Sequence, residues 1–262
     1  KEKNKMEKMT IEELRNRPYK IPNNILRKGD NPKLSKHIKI EELKKYWEMH
    51  LNFLPSDLSG YETCASKSKG CSEACLHTSG NPVFMSQKNL GRLNRTLFYF
   101  KERAKFLHII TKEIRNHEIN CKKHGLKPVI RLNTTSDIMW ENHKIMELFP
   151  NVIFYDYSKH FKRMMKYLRG ELPDNYHLTF SLNEKNHKEG LEVLKCGGNV
   201  AMVFRNTPPE TYKGYKVING DLHDMRFTDP KNVIVGLKEK LHLNPKTGKK
   251  ERDTKGFVID LN

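Results

Sequence analysis

The spacing Cys64-x6-Cys71-x3-Cys75 brings three thiols into twelve residues. Two thiolates three or four residues apart reach one small inorganic centre where the chain between them turns. Gly70 and the following Gly80-Asn81-Pro82 supply turn-prone chain. Three thiolates leave one coordination position open. A tetrahedral zinc ion would complete its shell with His77. A four-iron–four-sulfur cluster, [4Fe-4S], would keep three cysteine ligands and leave one iron for another ligand. Residues 65–100 hold Lys67, Lys69, Lys88, Arg92 and Arg95 against one acid, Glu73, and positive surroundings stabilise thiolates. The plainer reading is three unligated thiols. Cys121 and Cys196 stand apart, and each reads as a small apolar residue or as a fourth ligand from across the fold.

A second set of chemical groups sits at the ends of apolar runs. These endings are Arg131-Leu132-Asn133-Thr134-Thr135-Ser136-Asp137, Tyr155-Asp156-Tyr157-Ser158-Lys159, Ser181-Leu182-Asn183-Glu184 and Phe204-Arg205-Asn206. In parallel α/β folds the strand C-termini share one rim, and ligands bind there. Four polar endings on one rim would floor a pocket, although any one of these residues equally suits a helix cap or turn.

Cations gather in three strips. The first is Lys88, Arg92 and Arg95, with Lys67 and Lys69 nearby. The second is Lys159, Lys162, Arg163, Lys166 and Arg169. The third is Lys246, Lys249, Lys250, Arg252 and Lys255. Phe98, Tyr99, Phe161 and Tyr167 sit among them, a mixture suited to phosphate contact and base stacking. Each strip also reads as a solvated face. No zinc-finger, helix-turn-helix or RNP signature accompanies them, so the nucleic-acid signal is electrostatic and does not separate RNA from DNA.

The elements that must position these groups follow from periodicity. Pro128–Leu132, Val152–Tyr157, His177–Leu182 and Asn199–Phe204 are short, apolar and rich in β-formers, and begin at intervals of 22 to 25 residues. Helical segments fit between them, at Trp140–Leu148, Phe161–Leu168 and Lys185–Lys195. That alternation predicts βαβ units and a parallel sheet. Tyr215–Ile218 and Val233–Leu237 add two further strands. Leu51–Leu54 is expected as the first strand, directly before the cysteine loop, and Ile40–His50 as a helix. A long helical stretch from about Ser86 to His124 is expected to break near Phe100. Thr10 and Glu13 have capping-box spacing. Residues 1–8 are expected to fray, and Leu241–Leu261 to form a hairpin turning at Pro245-Lys246-Thr247-Gly248.

The chain has 262 residues with 49 Lys+Arg against 31 Asp+Glu, a formal charge of +18. That length buries a real core. No apolar run approaches the ~18–20 residues that cross a bilayer, and no secretory h-region is visible, so a membrane or secreted protein is disfavoured and the reducing cytoplasm expected. The charge suits a polyanion such as RNA or DNA, or simply a lysine-rich surface. Gly197-Gly198-Asn199 precedes a strand rather than opening a helix, so it is no phosphate loop, and there is no Walker, G-x-S-x-G or H-E-x-x-H motif.

The cysteine motif with Leu76-His77-Thr78-Ser79-Gly80-Asn81, then Arg131–Ile138, Leu178-Thr179-Phe180-Ser181, Gly198-Asn199-Val200-Ala201 and Asp224-Met225-Arg226-Phe227 appear in order. Together they resemble the "gene product eighty-eight" family of bacteriophage and mobile-element proteins, over roughly residues 50–260. The layout of strand, cysteine loop, helix and repeating strands more loosely resembles radical S-adenosylmethionine enzymes, partial (β/α) barrels whose three-cysteine loop holds a [4Fe-4S] cluster. The departures are C-x6-C-x3-C in place of C-x3-C-x2-C and the absence of a Gly-Gly-Glu motif. These resemblances imply an α/β protein with a partial or full (β/α) barrel-like parallel sheet and a three-cysteine loop after the first strand. Residues 1–50 would form an N-terminal extension and residues 51–262 the cluster-binding domain. Cys64, Cys71 and Cys75 would hold the cluster and the basic residues would bind nucleic acid, in the cytoplasm of a phage-infected host cell. If the open iron takes S-adenosylmethionine, then Asn133, Ser136, Asp137, Ser181 and Asn183 are the cofactor-pocket candidates. If the metal is zinc, the site is structural.

Overall fold

A computed structural model describes residues 9–28, 34–77, 85–244 and 247–261. The expected fraying of residues 1–8, the 78–82 part of the cysteine motif and the Pro245-Lys246 turn lie outside them.

Chain order runs α1 (Ile11–Arg15), β1 (Arg27–Lys28), β2 (Tyr46–His50), α2 (Lys69–Glu73), α3 (Ser86–Lys101), α4 (Arg103–Lys123) and β3 (Lys127–Arg131). It continues α5 (Ile145–Leu148), β4 (Ile153–Ser158), α6 (Phe161–Leu168), β5 (Tyr176–Ser181), α7 (His187–Lys195) and β6 (Val200–Phe204). The chain finishes with β7 (Thr211–Tyr212), β8 (Tyr215–Asn219), β9 (Ile234–Lys238), β10 (His242–Leu243) and β11 (Lys250–Glu251). Nine strands form one sheet in the order β1-β2-β3-β4-β5-β6-β9-β8-β7. The pairings from β2 through to β8 are all parallel, while β1 and β7 add antiparallel edges. β2 to β6 neighbour one another in sequence order. A chain wound in one direction in this way builds a barrel wall, and here the wall stays open, with β1 and β7 as its edges.

Two sequence expectations near the start are corrected. Tyr46–His50, the end of the expected helix, is strand β2, paired with β3 from Tyr46↔Lys127 to His50↔Arg131. Ahead of it are only short 3-10 turns at Leu34–Lys39 and Glu41–Leu43. Leu51–Leu54, the expected first strand, continues that line only through Leu51 N–H, which donates to Arg131 O at 2.9 Å. It then runs as irregular chain that buries Leu51, Phe53 and Leu54. A partner strand some eighty residues on decides the outcome, and local periodicity carries no trace of it. The domain boundary at residue 50 fails for the same reason: β1 and β2 belong to the main sheet.

The rest of the rhythm holds. The long helix breaks at Glu102, with φ −132° and ψ 51°, and the α1 capping box forms as spaced. Alternation along the strands makes two faces. Ile130, Phe154, Leu178, Phe180 and Met202 join Phe98, Phe106, Ile110 and Trp140 in the main core under the helices. Each large side chain buried there contributes about 1.5–3 kcal/mol. Val129 and Tyr155 face the other way and pack with Leu43 and Met225. The 221–229 segment crosses that face. Phe227 meets Tyr46 edge-on at 5.0 Å, and Asp224 pairs with Arg131 at 2.9 Å. The motif Asp224-Met225-Arg226-Phe227 therefore plugs one end of the half-barrel and leaves the C-terminal end of its strands open. Among the described residues, no helix is long and apolar enough to cross a membrane.

Candidate metal centre and cavity at the strand rim

Above the plug lies a cavity of about 200 Å³. Arg131, Tyr157, Ser181, Ala201, Val203 and Leu237 reach it from β3, β4, β5, β6 and β9, and Thr134, Thr135 and Ser136 from the loop after β3. Cys64, Cys71 and Cys75 form part of its wall, beside Lys67 and Lys159. Phe257 and Val258, from the returning C-terminal segment, line it as well.

The cysteine loop is anchored on several sides. Thr63 donates its hydroxyl to Leu54 O at 3.0 Å, and Asp137 N–H donates to Thr63 O at 2.8 Å. Cys64 Sγ points at Thr135 O, 3.7 Å away. Cys71 sits on the single turn of α2, whose N-cap Ser68 accepts the Cys71 N–H at 3.2 Å. The Glu184 carboxylate then holds this turn from β5's far end. It accepts the Ser68 hydroxyl at 2.6 Å and the Gly70 N–H at 2.8 Å. Gly70 is required by that approach: a Cβ there would meet Glu184 Oε2 at 2.9 Å and Phe257 Cβ at 3.0 Å.

No disulfide forms, and all five cysteines are thiols. Burial pushes the Cys64 thiol up and Cys75 up to about 12. Cys75 feels the charges of Cys71, Cys64 and Lys159, so all four groups lie within electrostatic reach of one another. Burial makes three bare thiolates costly side by side, and a bound cation that displaces the protons offsets that cost. Among the described residues, no three His, Cys, Asp or Glu side chains are placed to hold a single metal ion.

The family model "GP88: Gene product 88" matches residues 24–261. The chain belongs to the gene product 88 family. That match takes in the sheet, the cysteine loop and the cavity. No curated protein and no solved structure matches the chain.

The other sequence-predicted residues of this family member fall into three groups. Some build the rim. Asn133 Oδ1 accepts Ser136 Oγ at 2.8 Å, Ile138 N–H at 2.9 Å and Trp140 Nε1 at 3.2 Å. Its amide donates to Ile138 O and Asp156 Oδ2. Asp137 takes Lys159 N–H and Arg163 Nη1, at 2.8 and 3.0 Å. Asn183 accepts Lys185 N–H and turns from the cavity toward Ser66 O. Asn133 and Ser136 thus line the cavity while their side chains tie the loops that shape it, whereas Asn183, which does not line it, is corrected as a cofactor-pocket residue. Ser181 faces the cavity and accepts Lys159 Nζ at 2.9 Å.

Others assigned to a nucleic-acid surface turn inward. Arg92, Arg95 and Arg163 are buried. Arg92 Nη1 donates to His77 Nδ1 at 3.0 Å, Arg95 Nε to Asn52 O at 3.2 Å, and Arg163 clasps Glu141 through two bonds of 2.8 and 2.7 Å. Phe98 and Tyr99 are core. Lys159 joins the cavity, and Lys67 pairs with Glu62 and Asp57. Lys69, Lys88, Lys162 and Lys166 remain exposed.

The fourth-ligand candidates stand elsewhere. The Arg92 donor leaves the His77 proton on Nε2, so neither ring nitrogen offers a lone pair. Burial and Arg92 hold that imidazole neutral, down to about 4. Cys121 is buried in α4 beside His117, and Cys196 is exposed after α7. Neither lines the cavity. Sequence reasoning did not single out Glu184, Arg131, Thr134 and Tyr157 as site residues. All four lie in the polar strand endings, and only the sheet distinguishes which of them face inward.

Proposed function

We propose that Cys64, Cys71 and Cys75 hold a [4Fe-4S] cluster and that this protein is an enzyme of the radical S-adenosylmethionine type. The observation that carries this reading is the shared wall: three thiols and an organic-sized cavity meet at the C-terminal rim of a sequentially ordered parallel sheet. The thiols line one cavity without converging on one point, which suits a body whose irons each take one thiolate better than a single zinc ion. His77, engaged by Arg92, leaves zinc without a fourth ligand. Such a cluster, when bound, supplies one iron without a protein thiolate, open to S-adenosylmethionine and its reductive cleavage. The chain's own part is positioning. Glu184 fixes the Cys71 turn, Lys159 places a positive charge beside the thiols, and the returning segment at Phe257 and Val258 covers one side of the cavity.

Anaerobic purification tests this directly. A brown protein with about four irons and four sulfides per chain, whose spectrum shifts on adding S-adenosylmethionine and which releases methionine on reduction, supports it. Zinc in place of iron overturns it, leaving a zinc-stabilised module.

A second reading, binding of RNA or DNA, is favoured by the +18 charge and by exposed Lys69, Lys88, Lys162 and Lys166. Affinity that falls steeply with salt supports that reading, and flat affinity removes it. Action inside a phage-infected cell belongs to the same proposal.

A further inference from the structure

We infer that the cavity floor binds an oxyanion, the carboxylate or phosphate of a small organic molecule, held by Arg131, Thr134 and Tyr157. This deepens the enzyme reading, on which it rests for its purpose, by naming the class of molecule that shares the cavity with the thiols.

Three polar groups on this wall are buried and have no hydrogen-bond partner among the described residues: Arg131 Nε, Thr134 Oγ1 and Tyr157 OH. Arg131 is 4% exposed. Its Nη1 is engaged by Asp224 at 2.9 Å, and its guanidinium carbon lies 5.0 Å from the centre of the Tyr157 ring. Folded proteins rarely leave buried polar groups unpartnered, so three around one cavity call for a ligand. Their chemistry selects it. Arg131 Nε only donates, and both hydroxyls are able to donate, so the complementary group is rich in acceptors. An ammonium or an apolar ligand would leave Nε unsatisfied.

Charge points the same way. The wall's three carboxylates are engaged already: Asp137 with Arg163 at 3.0 Å, Glu239 with Arg205 at 2.9 Å and Arg252 at 3.2 Å, and Asp221 with the Lys238 N–H at 2.8 Å. Lys159 has no carboxylate within 4.0 Å among the described residues and donates to neutral Ser181. The unengaged groups are thus donors and a cation, which is what an oxyanion needs. A volume of about 200 Å³ admits a small molecule and excludes a nucleic-acid strand.

The test uses the full chain with two probes, malonate and inorganic phosphate, in titration calorimetry on wild type, Tyr157→Phe, Thr134→Val and the double variant. Wild type is expected to bind one probe saturably, and which one separates carboxylate from phosphate. Each hydroxyl lost should weaken that probe about tenfold, the equivalent of one charge-assisted hydrogen bond. Melting temperatures without probe should stay level or rise, because an unpartnered buried hydroxyl is removed. Equal affinity in the double variant, or no binding of either probe to wild type, overturns the inference. Iron and sulfide measured on the same samples keep the two proposals apart. Probe binding without iron sinks the cluster and leaves this site standing, and iron without probe binding does the reverse.

Discussion

Strand β4 carries two polar clusters back to back. On its helix side, Asp156 is 1% exposed. Its carboxylate accepts Asn133 N–H at 2.7 Å, the Asn133 amide at 3.1 Å and the Tyr176 hydroxyl at 2.8 Å. Arg163 reaches the same Tyr176 and both oxygens of Glu141. On the cavity side, Tyr157, Thr134 and Arg131 keep unpartnered atoms. Both clusters bury polar atoms. The first is closed on itself and fixes the loops of the rim, whereas the second is incomplete and faces a void. Satisfaction of hydrogen bonds, rather than polarity or burial, separates scaffold from site here.

The comparison can be broken most severely on the closed side. Asp156→Ala leaves the Tyr176 hydroxyl, the Asn133 N–H and the Asn133 amide without their buried acceptor. It should lower unfolding stability by about 3–5 kcal/mol in denaturant titration. A loss under 1 kcal/mol would mean that the cluster tolerates gaps and that the contrast is empty. On the cavity side, Cys71→Ser should strip most of the iron while the sheet stays folded by circular dichroism. Full iron content would remove Cys71 from the centre. Glu184→Ala should loosen the Cys71 turn and speed its reaction with a thiol reagent several-fold, with Glu184→Gln restoring much of the protection. Unchanged labelling would show that the turn holds itself.

A finer test uses pH. Burial pushes Glu48 up to about 8 against the pull of Arg131, and Asp156 up to about 6 against the pull of Arg163. Both are acids that hold their proton more tightly folded than unfolded. Their contribution is therefore complete below the unfolded value, near 4, and is lost as pH climbs through about 6 and then about 8. His77 and His223, both held neutral down to about 4, add stability as pH rises to their ordinary value near 6.5 and so oppose the two acids there. Melting temperature should therefore decline from pH 7 to 8, and Glu48→Gln should flatten that decline. A wild-type curve that rises from pH 7 to 8 would contradict this. The smallest effect belongs to Tyr157→Phe, whose unliganded stability should match or slightly exceed wild type. A marked loss would reveal a partner for that hydroxyl and move Tyr157 from site to scaffold.

Much of the architecture was legible in the chain. β3 to β6 have the short apolar form and regular spacing of βαβ units, and α6 spans the expected Phe161–Leu168. β2 was not legible. Tyr46–His50 has helix-compatible spacing locally, and its identity comes from pairing with β3. The basic strips misled at Arg92, Arg95 and Arg163. Charge composition says nothing about which side of a helix faces the core, and buried carboxylates and acceptors drew these three inward.

The sequence by itself determined the rhythm of strands, the three clustered thiols and the polar endings that meet at one rim, because periodicity and residue chemistry are local properties. Only the tertiary structure decided which polar residues close on each other and which look into the cavity. Adjacent residues of a strand point to opposite faces, so Asp156 and Tyr157 read alike in the chain and acquire different roles once a sheet divides them.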